Sequence, residues 1–265
     1  MRIFSIGNCF LALLILLLGP LGVLAQSDSL PRASLVLIPY APEYYLSDAD
    51  RDICAASSLE QLQLQQTIRL ALDRKLSAAL ETLGSCTAAC TDSSSTGRRL
   101  IGKYYDRTAY TYRSAVGRRQ VLSKQKSRDP EKRKAGKSAT DRTEPEFDAT
   151  QALANRGDGK YMSAEPRDTT LLPELRKTYG GDWVVSINQL DIRTNYNSCL
   201  DIVNGVYTRE VMVHYSVFDP RGKEVRGDYA LATFPSNDNR LGVITEGCFL
   251  RIAEEIRSNV AAVLR

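Results

Sequence analysis

The chain contains 265 residues, with 35 Lys and Arg against 31 Asp and Glu, one histidine and six cysteines. This length suffices for one large domain or two small ones. A single histidine excludes metal sites that need several imidazole ligands. After the N-terminal apolar run, no stretch is long and apolar enough to span a membrane.

The N-terminus has the organisation of a secretory signal peptide. Arg2 precedes the uncharged apolar run Phe10–Leu18, and Val23-Leu24-Ala25 follows it. Small or short residues three positions and one position before a cleavage point fit signal peptidase, which predicts cleavage after Ala25. The apolar run is shorter than the roughly 20 residues that an uncleaved anchor needs. We therefore expect residues 1–25 to be removed and residues 26–265 to act outside the cytoplasm.

A buried strand and a long helix are predicted next. The continuously apolar run Leu35–Tyr40 is typical of a central strand with both faces covered. Ser57 and Glu60 have the spacing of a capping box, and leucines then recur every three or four residues. Gly84 stands where a left-handed C-terminal cap is expected. These signals predict a helix over 58–83.

Three carboxylates lie between this strand and this helix. Asp48, Asp50 and Asp52 match the first three liganding positions of a calcium-binding loop. The sixth position of such a loop requires glycine, and here it is Ile53. A solvated acidic loop is therefore favoured, and the three aspartates remain only a weak metal candidate.

The middle of the chain is strongly basic. From about residue 91 to 166 apolar periodicity is lost, and residues 98–142 hold 15 Lys and Arg against 4 Asp and Glu. This composition predicts a long disordered basic insert. A segment of this charge attracts polyanions through counterion release, although it can equally serve only as a solvated loop. The candidate polyanion-binding residues are Lys124, Lys126, Arg128, Lys132, Arg133, Lys134 and Lys137.

The C-terminal half predicts a short helix, a β-meander and a final helix. Asn204-Gly205 marks a hairpin, Asp219–Gly222 marks a second turn, and an apolar stripe from Leu241 to Leu264 marks the helix. We therefore expect a single α+β domain over 26–265, interrupted by the insert. Its sheet is expected to be mixed or antiparallel, with the helices packed on one face.

Five cysteines remain after cleavage at Ala25, and this odd number leaves at least one thiol free or paired with another chain. Cys199 precedes the hairpin turn, and Cys248 lies on the helix expected to cover the meander. We therefore predict a Cys199–Cys248 disulfide. For Cys86 and Cys90, a local disulfide and two unpaired thiols both stay open.

No catalytic residue and no cofactor are predicted. His214 lies in the middle of a strand, and no serine or cysteine nucleophile motif accompanies it. A hydrogen-bonded sheet residue is therefore favoured over a general base.

The first part of the mature chain resembles a group of uncharacterised exported proteins of Gram-negative bacteria. The resemblance lies in Val-Leu-Ile-Pro-Tyr-Ala-Pro at 36–42, Tyr-Leu-Ser-Asp-Ala-Asp-Arg-Asp-Ile at 45–53 and the Leu/Gln-rich helix that follows. The resemblance implies the fold and a location in the periplasm or at the outer membrane, but no activity. The order strand, helix, meander and helix is more distantly similar to periplasmic domains of the curli-secretion and Tol-translocation type, which bind partners in the envelope.

These expectations point to a non-enzymatic exported protein that binds an envelope partner. The partner classes are an envelope protein and an anionic envelope polymer or lipid surface, and nucleic acid is not expected. The alternative is an envelope hydrolase that uses the carboxylates near Asp48–Asp52.

Overall fold

The computed structural model describes residues 33–115 and 159–265, which form eight strands and five α-helices. The strands are β1 Ala33–Ile38, β2 Tyr45–Ser47, β3 Gly84–Ala88, β4 Thr108–Ser114, β5 Lys160–Pro166, β6 Trp183–Asp201, β7 Val206–Phe218 and β8 Glu224–Pro235. The helices are α1 Asp50–Ser57, α2 Gln61–Glu81, α3 Ser95–Asp106, α4 Leu171–Tyr179 and α5 Phe249–Val263, the last preceded by a π-helical turn, Val243–Cys248.

One mixed sheet organises these elements, in the order β3-β1-β6-β7-β8, with β2 added against β6. Strand β1 lies parallel to both β3 and β6, whereas β6, β7 and β8 form an antiparallel meander. The α+β class, the mixed sheet and the C-terminal meander are therefore confirmed. The core-facing residues of β6 are odd-numbered up to Ile187 and even-numbered from Leu190. This switch coincides with a register shift between Ile187 and Gln189.

Helices α1, α2 and α5 cover one face of the sheet. The inward side chains of α2 are all fully buried; they are Leu64, Ile68, Leu72, Leu76 and Leu80. The helix starts later than the predicted residue 58, because Ser58 is left-handed (φ 55°) and separates it from α1. Its capping box joins Glu60 and Gln63 rather than Ser57 and Glu60.

Helices α3 and α4 cover the opposite face. There Val36, Ile38, Val184 and Phe218 pack against Leu100, Tyr104, Leu172 and Leu175. The expectation that helices pack on one face therefore describes only α1, α2 and α5. The physical reason lies in β1, whose run Leu35–Ile38 is apolar at every position and so requires cover on both faces.

The β4–β5 ribbon is attached to this second face through polar side chains. The Met162 amide donates to Nδ1 of His214 at 2.9 Å, and the Ala164 amide donates to Oγ of Ser216 at 3.1 Å. The Asn188 side-chain amide donates to the Met162 carbonyl at 2.8 Å. These bonds satisfy backbone amide and carbonyl groups along the edge of β5 that does not pair with β4. His214 is accordingly a hydrogen-bonded sheet residue, as expected.

Part of the region assigned to the basic insert, 91–166, is regular structure. Helix α3 and strands β4 and β5 lie within it, so its bounds were too wide. The apolar signal of α3 is brief: Leu100 and Tyr104 are buried one turn apart, while Arg98, Arg99 and Lys103 carry the charge around them. Residues 116–158 lie outside the described residues.

Candidate functional site

The three aspartates of the acidic segment are held by three separate partners. Asp48 accepts a hydrogen bond from the Thr194 amide at 2.8 Å, Asp50 accepts one from the Tyr45 hydroxyl at 2.5 Å, and Asp52 pairs with Arg209. Within residues 33–115 and 159–265, no three acidic, histidine or cysteine side chains are grouped closely enough to hold a metal ion. Asp48 and Asp52 therefore tie the segment to β6 and β7, Asp50 is bonded to β2, and the three carboxylates do not converge on a shared site.

The predicted Cys199–Cys248 disulfide is absent, and both thiols are free. Cys199 is exposed near the end of β6, with its Sγ 3.6 Å from the Val206 carbonyl, whereas Cys248 is buried beneath the sheet. Cys199 lies opposite Tyr207 near the hairpin turn, whereas Cys248 packs in the core between the sheet and α2 and α5. Cys86 and Cys90 are two unpaired thiols. Burial raises their pKa to about 11 and about 12, which leaves both protonated and unreactive at neutral pH.

Two sequence predictions lie outside the described residues. The first is the signal peptide, residues 1–25. The second is the set of basic residues Lys124, Lys126, Arg128, Lys132, Arg133, Lys134 and Lys137. No helix in the described part of the chain is long and apolar enough to cross a lipid bilayer.

The tip of the β6–β7 hairpin exposes large apolar side chains. The pairing of β7 with β8 ends at Thr208, and the Tyr207 backbone is still bonded to Ser236, so only the last residues of the hairpin extend beyond β8. We call four exposed side chains at its end the hairpin apex; they are Tyr196, Leu200, Ile202 and Val203. Isolated surface leucines are ordinary, but an apolar group concentrated at one tip is typical of an interaction site.

The turn at this tip is held in one conformation by Asp201. Its carboxylate accepts hydrogen bonds from the Val203 amide at 3.0 Å, the Asn204 amide at 3.1 Å and the Asn204 side chain at 2.6 Å. The Asn204 side-chain bond, followed by the backbone bonds, lowers the pKa of Asp201. Four residues, rather than the predicted two, separate the last paired residues Asp201 and Val206. Ile202 and Val203 are consequently presented outward on an ordered turn.

A cleft of about 440 Å³ lies where the parallel strands β1 and β3 end. The carboxyl ends of neighbouring parallel strands are the usual place for a ligand in such sheets. The side chains that define its chemistry are Arg69, Leu70, Asp73, Cys90, Ile101 and Tyr105. We call this site the Asp73 cleft.

Asp73 is the unusual residue of this cleft. Its side chain is only 2% exposed, and apart from a weak contact with the Cys90 thiol neither carboxylate oxygen has a hydrogen-bond partner in the described part of the chain. Burial raises the pKa of Asp73 to about 6, while Arg69 and the neighbouring Cys90 thiol act in the opposite direction. Arg69 itself donates to the Tyr105 hydroxyl at 3.2 Å and lies 5.5 Å from the centre of the Tyr40 ring. A buried acceptor without a donor is costly and typical of a functional position.

Neither the hairpin apex nor Asp73 was identified from the sequence. The available signal for Asp73 was a carboxylate three residues before Leu76, beside the apolar stripe of α2. The available signal for the apex was Leu200, Ile202 and Val203 surrounding a hairpin turn, where polar residues are usual. Neither a protein-family model nor a curated protein matches this chain.

Proposed function

We propose that this protein is a non-enzymatic component of the cell envelope, exported through residues 1–25, that binds an anionic lipid surface. In this proposal the hairpin apex enters the lipid, and the stretch that contains Lys124 to Lys137, which we call the basic segment, supplies electrostatic attraction. The observation that carries it is the exposure of Ile202 and Val203, which are 86% and 94% accessible at the end of an ordered turn.

The apolar part of this interaction is moderate. Burial of one aliphatic side chain contributes about 1.5–3 kcal/mol, so Leu200, Ile202 and Val203 together contribute on the order of 5–8 kcal/mol before the entropic cost of association. That is comparable to the marginal membrane binding of a single acyl chain, which needs a second signal to become stable. The apex therefore requires an electrostatic partner.

In this proposal the basic segment supplies that second signal. Its flanking residues Ala115 and Tyr161 pack with Met212 and Tyr229 on the second face of the sheet. Met212 belongs to β7, the strand that begins next to the apex. Each Lys or Arg near an anionic bilayer contributes about 1 kcal/mol.

The shape of the apex favours lipid over a protein groove as its partner. The apex is the exposed end of a hairpin, and a fluid bilayer accepts a small apolar tip without a matching cavity. Within the apex, the ring of Tyr196 lies 5.3 Å from the ring of Tyr207. Tyrosine is suited to the boundary between headgroups and hydrocarbon. The separate partners of Asp48, Asp50 and Asp52 favour this binding proposal over the hydrolase alternative.

Cosedimentation with vesicles of phosphatidylethanolamine and phosphatidylglycerol tests the proposal. We expect the double variant Ile202→Ser/Val203→Ser to bind at least about tenfold more weakly than the mature wild-type chain, because two aliphatic side chains no longer enter hydrocarbon. The matched control is Leu62→Ser/Leu250→Ser, which removes two exposed leucines from helical positions elsewhere. The proposal is wrong if the apex variant binds like wild type, or if uncharged phosphatidylcholine vesicles bind equally well.

A further inference from the structure

The Asp73 cleft is a second site, separate from the hairpin apex. It is formed by α2, the residues that follow β1 and β3, and the first turns of α3, whereas the apex belongs to β6 and β7. Its volume of about 440 Å³ is within the range of small-molecule sites.

The donors around Asp73 are engaged elsewhere or are weak. The guanidinium of Arg69, one turn before Asp73 on α2, donates to Tyr105 and packs over Tyr40. No salt bridge joins Asp73 to a cation in the described residues, and the neighbouring Cys90 has only a thiol to offer. Apart from this weak thiol donor, the two buried acceptor oxygens remain available to a group that enters the cleft.

The walls around this carboxylate are mainly apolar. Pro39, Leu70, Ala89 and Ile101 line the cleft and provide contact surface for hydrocarbon. An apolar wall with one buried anionic group defines a ligand with a donor-bearing cationic end and an apolar body.

We propose that the Asp73 cleft binds a small primary amine, with the ammonium donating to the carboxylate of Asp73 and the hydrocarbon body lying against Leu70 and Ile101. A primary ammonium has three donors, enough to satisfy both carboxylate oxygens.

Binding by this mechanism depends on pH. The groups that face Asp73 are Arg69 on α2, Tyr40 after β1, Cys90 after β3 and Tyr105 on α3, with Asp92 and Arg98 at the rim. Burial raises the pKa of the Cys90 thiol to about 12 and also raises the pKa of both tyrosines, so none of these three groups changes charge near pH 6, where Asp73 does. Amine affinity is therefore full above pH 7 and falls as Asp73 becomes protonated below pH 6.

An NMR titration of the mature chain with n-pentylamine, followed through backbone amide signals, tests the inference. 1-Pentanol is the matched probe, because it has the same hydrocarbon body without the charge. We expect pentylamine at pH 7.5 to shift signals around the cleft at millimolar concentrations and to bind at least about tenfold more tightly than pentanol, since charged hydrogen bonds are the stronger ones. Lowering the pH to 4.5 is expected to abolish the difference.

The decisive variant is Asp73→Asn, which keeps the side-chain shape and removes the charge. It is expected to lose at least about tenfold in pentylamine affinity, while Glu81→Gln, an exposed carboxyl on the same helix, keeps wild-type affinity. An unchanged spectrum of dispersed signals in Asp73→Asn verifies that the fold is intact. Equal binding of pentylamine and pentanol, retained binding by Asp73→Asn, or shifts confined to other parts of the sheet would each overturn the inference.

Discussion

His214, on β7, joins the main sheet to strand β5 through one ring nitrogen. Its Nδ1 accepts the hydrogen bond of the Met162 amide, so the ring is neutral and carries its proton on Nε2. Burial, assisted by the positive charge of Arg193, lowers the pKa of His214 to about 3. Protonation of Nδ1 would remove the acceptor that this strand edge depends on.

This coupling predicts an acid-sensitive contribution to stability. The unfolded chain binds a proton at His214 below about pH 6.5, whereas the folded chain does so only near pH 3, so the contribution is complete above pH 6.5 and is lost as the pH falls. We expect the free energy of unfolding of wild type, relative to His214→Gln, to fall by up to about 1.4 kcal/mol per pH unit between pH 6 and 4. Urea unfolding at a series of pH values measures this difference. A difference that does not vary with pH would show that His214 titrates normally in the folded chain.

Asp73 has the opposite effect on how the free energy of unfolding depends on pH. Its pKa is about 6 in the folded chain and near 4 when unfolded, so its cost is present above pH 6 and is relieved as the pH falls. We expect Asp73→Asn to be more stable than wild type at pH 8, by up to about 3 kcal/mol, and equally stable near pH 4. Thermal or urea unfolding at the two pH values checks the result. A variant that is less stable than wild type at pH 8 would show that the carboxylate has a stabilising partner.

At the scale of elements, β3 depends on a close backbone approach at its first residue. A Cβ added to Gly84 would lie 1.9 Å from the Ala33 carbonyl oxygen, across the parallel pair β1–β3. Gly84 is therefore needed for strand contact and not for the left-handed helix cap expected from the sequence. Its φ lies outside the positive region.

This contact predicts opposite effects for two glycine substitutions. Gly84→Ala should destabilise the chain by more than about 2 kcal/mol, because the edge strand must move away from β1. Gly102→Ala, within α3 and with open space around it, should be neutral or stabilising by up to about 1 kcal/mol. Chemical unfolding of the two variants measures both changes. Similar stabilities for the two would contradict the close packing of β3 against β1.

Elements with strong local periodicity were predictable, and elements defined by distant partners were not. The stripe of α2 and the meander after Trp183 follow from spacing and turn residues alone. Strand β3 has the sequence Gly-Ser-Cys-Thr-Ala, and only its pairing with β1 makes it a strand. Helix α3 was missed because its two buried side chains lie in basic surroundings. The chemistry of Asp73 could not be predicted either, because most residues that line its cleft come from elements other than α2.

At the scale of the whole molecule, the basic segment is joined to the domain at two neighbouring points. Ser114 and Lys160 are paired residues at the end of the β4–β5 ribbon, so the chain between them begins and ends at the same place. Closing a shorter loop at this position carries little entropic cost. The ribbon itself is fixed by hydrogen bonds from β5 to His214 and Ser216.

Deleting residues 120–145 should therefore separate folding from binding. We expect the melting temperature to remain nearly unchanged, while affinity for anionic vesicles falls steeply and loses most of its dependence on salt. Calorimetry and vesicle cosedimentation at two salt concentrations measure the two properties. Unfolding of the deleted chain would mean that the segment is structural, and unchanged vesicle affinity would mean that it only keeps the chain soluble.

The proposal that the hairpin apex enters lipid is tested most directly by a measurement of depth. A Val203→Trp variant places a fluorophore at the tip, and vesicles with brominated acyl chains quench only fluorophores that reach the hydrocarbon. We expect quenching of the variant well beyond that of wild type, whose single tryptophan, Trp183, lies in the sheet. Vesicle-bound protein whose tryptophan at 203 stays unquenched would contradict the account.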